Sequence, residues 1–154
     1  MVRLPFQTKA PPPEIFPVGK YTLGGSIDGL GGLVEFSPAE YAAMGRRFVG
    51  ERNYNALPVT WLGRPWQVMV QAVHGRISAI APHLLVANRE AAAAFQEIFR
   101  FCEEKLGQPV DRQANFCLWQ VPDGTVVLRS EGTADGTRIG LVLTSNAALN
   151  FPRL

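Results

Sequence analysis

Apolar and polar positions alternate with a period of two from Trp66 onward. Trp66, Val68 and Val70 fall on one side of an extended chain, and Gln67, Met69 and Gln71 on the other. His74-Gly75 has the composition of a hairpin turn, so Arg76 to Ala81 are predicted to return beside that strand until Pro82, which has no N–H, interrupts the ladder. The same period returns near the C-terminus. Asn115 to Val121, Thr125 to Glu131 and Thr137 to Thr144 are three further predicted strands, joined by Pro122-Asp123-Gly124 and Ala134-Asp135-Gly136. Asp-Gly turns link neighbours antiparallel, which makes these strands a meander with one buried and one wet face.

Two stretches change to the helical period. Ser37-Pro38-Ala39-Glu40 combines an N-cap, a first-turn proline and a capping-box glutamate, and predicts a helix from about 38 to 49 with Tyr41, Met44 and Phe48 on its apolar stripe. Asn88 is placed to cap a longer helix, residues 89 to 106, which Gly107 closes and Pro109 prevents from continuing. Ala91, Phe95, Ile98, Phe99, Cys102 and Leu106 form its broad apolar stripe, opposite Glu90, Glu97, Arg100 and Glu104. Phe101 falls beside the stripe near Lys105, as either the margin of a wide core face or an exposed contact.

Upstream, Lys20 to Ile27 reads as a short strand, and the glycines between residues 24 and 32 as turns or places of close backbone approach. Residues 1 to 19 carry Pro5, Pro11, Pro12, Pro13 and Pro17 and read as an extended arm. The expected architecture is α+β. One antiparallel sheet of five to seven strands carries two helices, about 38–49 and 89–106, on one face and ends in a three-stranded meander. Residues 20–154 form a single domain behind the arm. Leu62-Gly63-Arg64-Pro65 and Leu106-Gly107-Gln108-Pro109 invite a reading as a duplicated helix-plus-strands unit, against the simpler one that both are helix ends.

Composition narrows the function more by exclusion than by indication. With 154 residues, 47% of them apolar and 18% charged, the chain can bury one core without disulfide or metal staples. Net charge is +2, and the densest basic cluster, Arg46, Arg47 and Arg52, has Glu51 inside it, so no specific nucleic-acid signal is present. No apolar run is long enough for a membrane helix, and prolines stand where a signal peptide needs its apolar segment. A cytoplasmic location is the expectation.

Candidate chemistry is sparse. Gly19-Lys20-Tyr21-Thr22 and Gly29-x-Gly31 lack the rest of a phosphate-binding loop, and Gly24-Gly25-Ser26-Ile27-Asp28 is not a nucleophile elbow. Glu103 and Glu104 diverge by about 100° on a helix and cannot share a substrate. Cys102 and Cys117 sit in apolar company at a spacing that fits neither a redox motif nor paired zinc ligands, so no cofactor or metal is expected.

What remains is a small bacterial-type binding protein, adaptor-like or immunity-like, whose partner is another protein or a second copy of the chain. Its expected contact residues are Trp119, Met69, Gln67, Gln71 and Arg129 on the wet sheet face, with Phe101 beside them; aromatic, Met and Arg side chains are what such surfaces favour. The glycine-rich segment is a second candidate surface. A carrier with an apolar pocket between sheet and helix is the alternative function, and a hydrolase-type site near His83 is a third.

Overall fold

The computed structural model describes residues 14–146; Pro5, Pro11, Pro12 and Pro13 of the expected arm lie outside the described residues. The element order is β1 (Leu33–Glu35), α1 (Pro38–Met44), β2 (Glu51–Ala56), β3 (Val59–Trp61), β4 (Arg64–Val73) and β5 (Arg76–Val86). A 3₁₀ turn (Asn88–Glu90) then leads into α2 (Ala91–Leu106), followed by β6 (Asp111–Gln113), β7 (Phe116–Val121), β8 (Gly124–Thr133) and β9 (Gly136–Ser145). All nine strands belong to one antiparallel sheet, in the order β1-β2-β4-β5-β9-β8-β7-β6, with β3 paired to the start of β4. The C-terminal strands are consecutive neighbours and form the expected meander.

Register explains the core. Tyr54, Val70, Ile80, Leu143, Val126 and Trp119 are successive cross-strand partners, so six strands place one residue each in a single row on the same face. All but Tyr54 are fully buried. Above this row lies α2, which buries Ala94, Ile98, Phe99, Cys102 and Leu106. Phe99 meets Trp119 at a centroid distance of 5.6 Å. The two buried indoles each find a backbone acceptor: Trp66 Nε1 donates to the Trp61 carbonyl at 2.7 Å, and Trp119 Nε1 to the Gly107 carbonyl at 2.9 Å.

Several expectations change in detail. The sheet has nine strands rather than five to seven, because β1, β3 and β6 are three-residue pieces too short to show a period. β2 was missed because Arg52, Asn53 and Asn55 lack strand propensity and are held by partners on both sides. The first helix has its capping box, with Glu40 N–H donating to Ser37 Oγ and Ser37 N–H to Glu40 Oε1, but ends at Met44 because Gly45 turns the chain at φ +82°. It buries no residue, so packing on the core face holds for α2 and not for α1.

Asn88 does not cap the second helix; its Oδ1 accepts from Thr137 Oγ1 at 2.8 Å, and the 3₁₀ turn supplies the helix start. β5 continues past Pro82 to Val86, while its pairing to β9 passes from Ile80 to His83 around the missing proline N–H. Leu62-Gly63 is the turn between β3 and β4, at φ +52° and +71°, whereas Leu106-Gly107 ends a helix. The two Leu-Gly-x-Pro segments therefore do different work, and the duplicated unit has no counterpart here.

The 20–27 segment is irregular rather than a strand, tied to the β4–β5 hairpin by Gly24 N–H to the Ile77 carbonyl and Ile27 N–H to the Gly75 carbonyl. The end of the expected arm belongs to the core. Ile15, Phe16 and Val18 are buried, with Phe16 edge-on to Phe101 at 4.9 Å and stacked on Trp61 at 5.8 Å.

Two stability outcomes follow. Phe99→Ala removes a ring buried against Trp119 and should cost about 3–5 kcal/mol, with a smaller loss for half-buried Phe95→Ala, both read from urea melts. Gly136, at φ +146°, has the Val86 carbonyl oxygen 2.5 Å from where a Cβ would sit. Gly136→Ala should therefore lower stability by more than about 1 kcal/mol without changing the denaturant slope.

Candidate functional site

Alternation that sends one residue set to α2 sends the other to the opposite face, and no helix covers most of that face. One row there runs Asn53, Gln71, Ala79, Thr144, Thr125 and Gln120, all polar or small. The next row is apolar except at Asn55. Val34 pairs with Asn55, Asn55 with Met69, and Met69 with Ala81. Ala81 and Val142 stand between the paired Ile80–Leu143 and His83–Gly140, and the row continues through Val127 to Leu118. Seven strands at about 4.8 Å spacing make this band roughly 29 Å long. Val34 is 67% exposed, Met69 38% and Val142 41%.

At the β2–β4 end, α1 stands over the face and shapes it. Asn55 Nδ2 donates to Glu40 Oε2 at 2.9 Å, and Tyr41 Oη accepts the Asn53 backbone N–H at 2.9 Å while donating to Glu35 Oε2. Beneath it runs a buried polar chain. Ser78 Oγ donates to Gln71 Oε1 at 2.9 Å, Gln71 Nε2 reaches Asn53 Oδ1 at 3.5 Å, and Asn53 Nδ2 donates to Glu51 Oε2 at 2.6 Å. The other Glu51 oxygen accepts the Phe48 backbone N–H at 2.7 Å. Ser78 is the extra residue of a bulge where the β4–β5 register shifts after Gln71, and the bulge is what aims its hydroxyl into this chain. With its polar groups satisfied, this end of the face is rigidly built.

Between α1 and the band lies a hollow of about 210 Å³, lined chiefly by Phe36, Met44, Met69, Gln71, Ala79 and Ala81. At the far side of the band, Arg129 and Arg138 flank Glu131 at 4.0 and 3.6 Å, all three at the surface, beside Val142. Leu85, 54% exposed, is the cross-strand partner of Arg138.

Of the residues expected on the wet face, Met69, Gln67, Gln71 and Arg129 are there, with Gln67 and Arg129 exposed and Gln71 half-buried in the polar chain. Trp119 is not. It is 1% exposed and lies on the opposite face under α2, since its cross-strand partner Val126 points into the core. Phe101 is the margin of the core: its ring meets Phe16 at 4.9 Å and Trp61 at 5.5 Å, with Lys105 Nζ 5.8 Å above it. Sequence reading missed Phe36, Val127, Leu118 and Val142. The period-two alternation already placed Val142 opposite Leu141 and Leu143, so its exposure was available; Phe36 was not, because only the fold brings it beside Met69.

His83 sits on this face between Gln67 and Gly140. Burial holds its pKa below the ordinary value, Arg138 lowers it further, and a hydrogen bond to the Ala81 backbone acts the other way. Cys102 and Cys117 are buried free thiols, and burial, with the nearby Cys117 adding, pushes Cys102 up to about 12. Such a thiol is protonated and unreactive at neutral pH. Among the described residues, no group of three His, Cys, Asp or Glu gathers to hold a metal ion, and no helix is long and apolar enough to cross a membrane. Comparison with protein-family models, with curated proteins and with solved structures finds no match to this chain.

The His83 environment has a consequence for stability. A histidine whose folded pKa is depressed takes up its proton more readily in the unfolded chain, so its contribution is complete above about 6.5 and is lost as pH falls through that value toward the folded pKa. Thermal melts between pH 8 and 5.5 should show a larger fall in Tm for the native protein than for His83→Gln. Parallel profiles would mean that His83 is solvated as freely in the folded state as in the unfolded one.

Proposed function

We propose that the protein is a protein-binding module that takes its partner on the open face of the sheet. The observation that carries this reading is the apolar band leading into the hollow beside α1. Stable interfaces centre on an apolar anchor that fills a pocket and is ringed by polar groups, and the hollow of about 210 Å³ suits one large side chain of a partner. Around it the polar row of Asn53, Gln71, Thr144 and Thr125 on one flank, and Arg129 and Arg138 on the other, supply the rim. The two arginines outnumber Glu131, so a partner segment with an apolar anchor and an acidic flank fits best.

The enzyme reading near His83 draws less support. The charged neighbour of His83 is a cation, Arg138, whereas a histidine base is ordinarily oriented by a carboxylate.

Val142→Arg and Met69→Asp place charge in the band at exposed positions and should leave Tm within a few degrees. In pull-downs from the native host quantified by mass spectrometry, each should reduce capture of a stoichiometric partner at least tenfold, while Arg47→Gln, away from the band, should not. Capture that survives both substitutions would move the interface elsewhere. Dimerisation by sedimentation, abolished by Val142→Arg, would identify the partner as a second copy.

A further inference from the structure

A second site lies on the other side of the molecule, independent of the open face. Between the first half of α2 and the edge of the sheet is a hollow of about 630 Å³, within the range of roughly 300–1,000 Å³ typical of small-molecule sites. Its origin is in the sequence. Ala91 and Ala92 in the first turn of α2 and Ala114 after β6 present only methyl groups to this space, and β6 itself is only three residues long. Phe95 and Phe99 give the hollow an apolar side, and Gln96, Arg112, Gln113 and Ser130 give it a polar one.

Three features of that polar side point to an anion. No acidic residue lines the hollow. Arg112 sits over the buried Phe99 ring with its guanidinium carbon 4.0 Å from the ring centroid, a cation–π contact that uses none of its N–H groups on an oxygen acceptor. Arg112 also forms no ion pair among the described residues, and the side chains of Gln96, Gln113 and Ser130 make no hydrogen bond among them, so four donor groups around one space are uncommitted. The paired N–H groups of an arginine match the two oxygens of a carboxylate. A phosphate dianion would call for a second cation, and none lines the hollow.

We propose that this hollow binds a monoanionic carboxylate carrying an apolar body, the carboxylate on Arg112 and the body on Phe95 and Phe99, with Gln96, Gln113 and Ser130 holding the remaining polar atoms. Such a group occurs both as a free organic acid and as the C-terminus of a peptide ending in an apolar residue.

Isothermal titration of the full chain tests this with 4-phenylbutanoate, octanoate and a tetrapeptide ending in leucine, each against its uncharged amide. At least one acid should bind at least tenfold more tightly than its amide. Arg112→Gln should abolish that preference, and Arg112→Lys should keep part of it. Preference confined to the small acids identifies a free acid as the ligand, and preference confined to the peptide identifies a chain terminus. The acid-to-amide comparison on the native protein needs no variant, so a loss of fold in Arg112→Gln, checked by its melting curve, does not decide the matter. No binding of any acid at millimolar concentration, equal binding of acid and amide, or an undiminished preference in a folded Arg112→Gln protein would overturn the proposal.

Discussion

The structure depends on one constraint, the continuity of cross-strand register through six long or medium strands. From Tyr54 to Trp119, each residue of the central row finds its partner on the next strand, and a slip of one residue anywhere would exchange the two faces for every strand beyond it. Burial under α2 enforces the register, because the alternative would bring Gln71, Thr144 and Thr125 under the helix without water. Tight turns enforce it locally. His74-Gly75, both at positive φ, sets the β4–β5 hairpin, and Gly136 lets the β8–β9 turn pass beside the Val86 carbonyl.

Because α2 and the segment from Ile15 to Tyr21 cover one face, most of the other face is left to solvent or to a partner. An antiparallel sheet with one wet face ordinarily carries polar residues there, and the Asn53 to Gln120 row does so. The neighbouring band from Val34 to Leu118 departs from that rule, and α1, tethered by Glu40 and Tyr41 to the edge of the sheet, deepens one end of it into a hollow. Large apolar patches on a folded surface are ordinarily functional. The band carries the binding reading for that reason.

The two proposed sites have different physical characters. On the open face the recognition surface is broad, apolar and shallow, which suits another macromolecule. Beside α2 the hollow is larger, bounded by a helix and a sheet edge, and has its one cation stacked on a buried ring. Binding there touches α2 and β6, which are both seated on the core through Phe99, Trp119 and Cys117. A ligand held there would stabilise the native state by mass action whether or not the open face is occupied.

By itself the sequence determined the class of fold. The alternation from Trp66 to Gln71 and from Arg138 to Thr144, the Asp-Gly turns and the Ser37 capping box are local signals whose physics needs no distant partner. It also determined four of the open-face residues, Met69, Gln67, Gln71 and Arg129, since alternation assigns them once the core face is known. Tertiary structure decided what depends on contacts across the chain: three-residue strands stabilised only by neighbours, Asn88 drawn to Thr137 instead of the helix end, and Trp119 and Phe101 turned inward against Phe99, Phe16 and Trp61. Both hollows belong to that second group. Each is a space between separate elements, and a space has no residue of its own for a pattern to reveal.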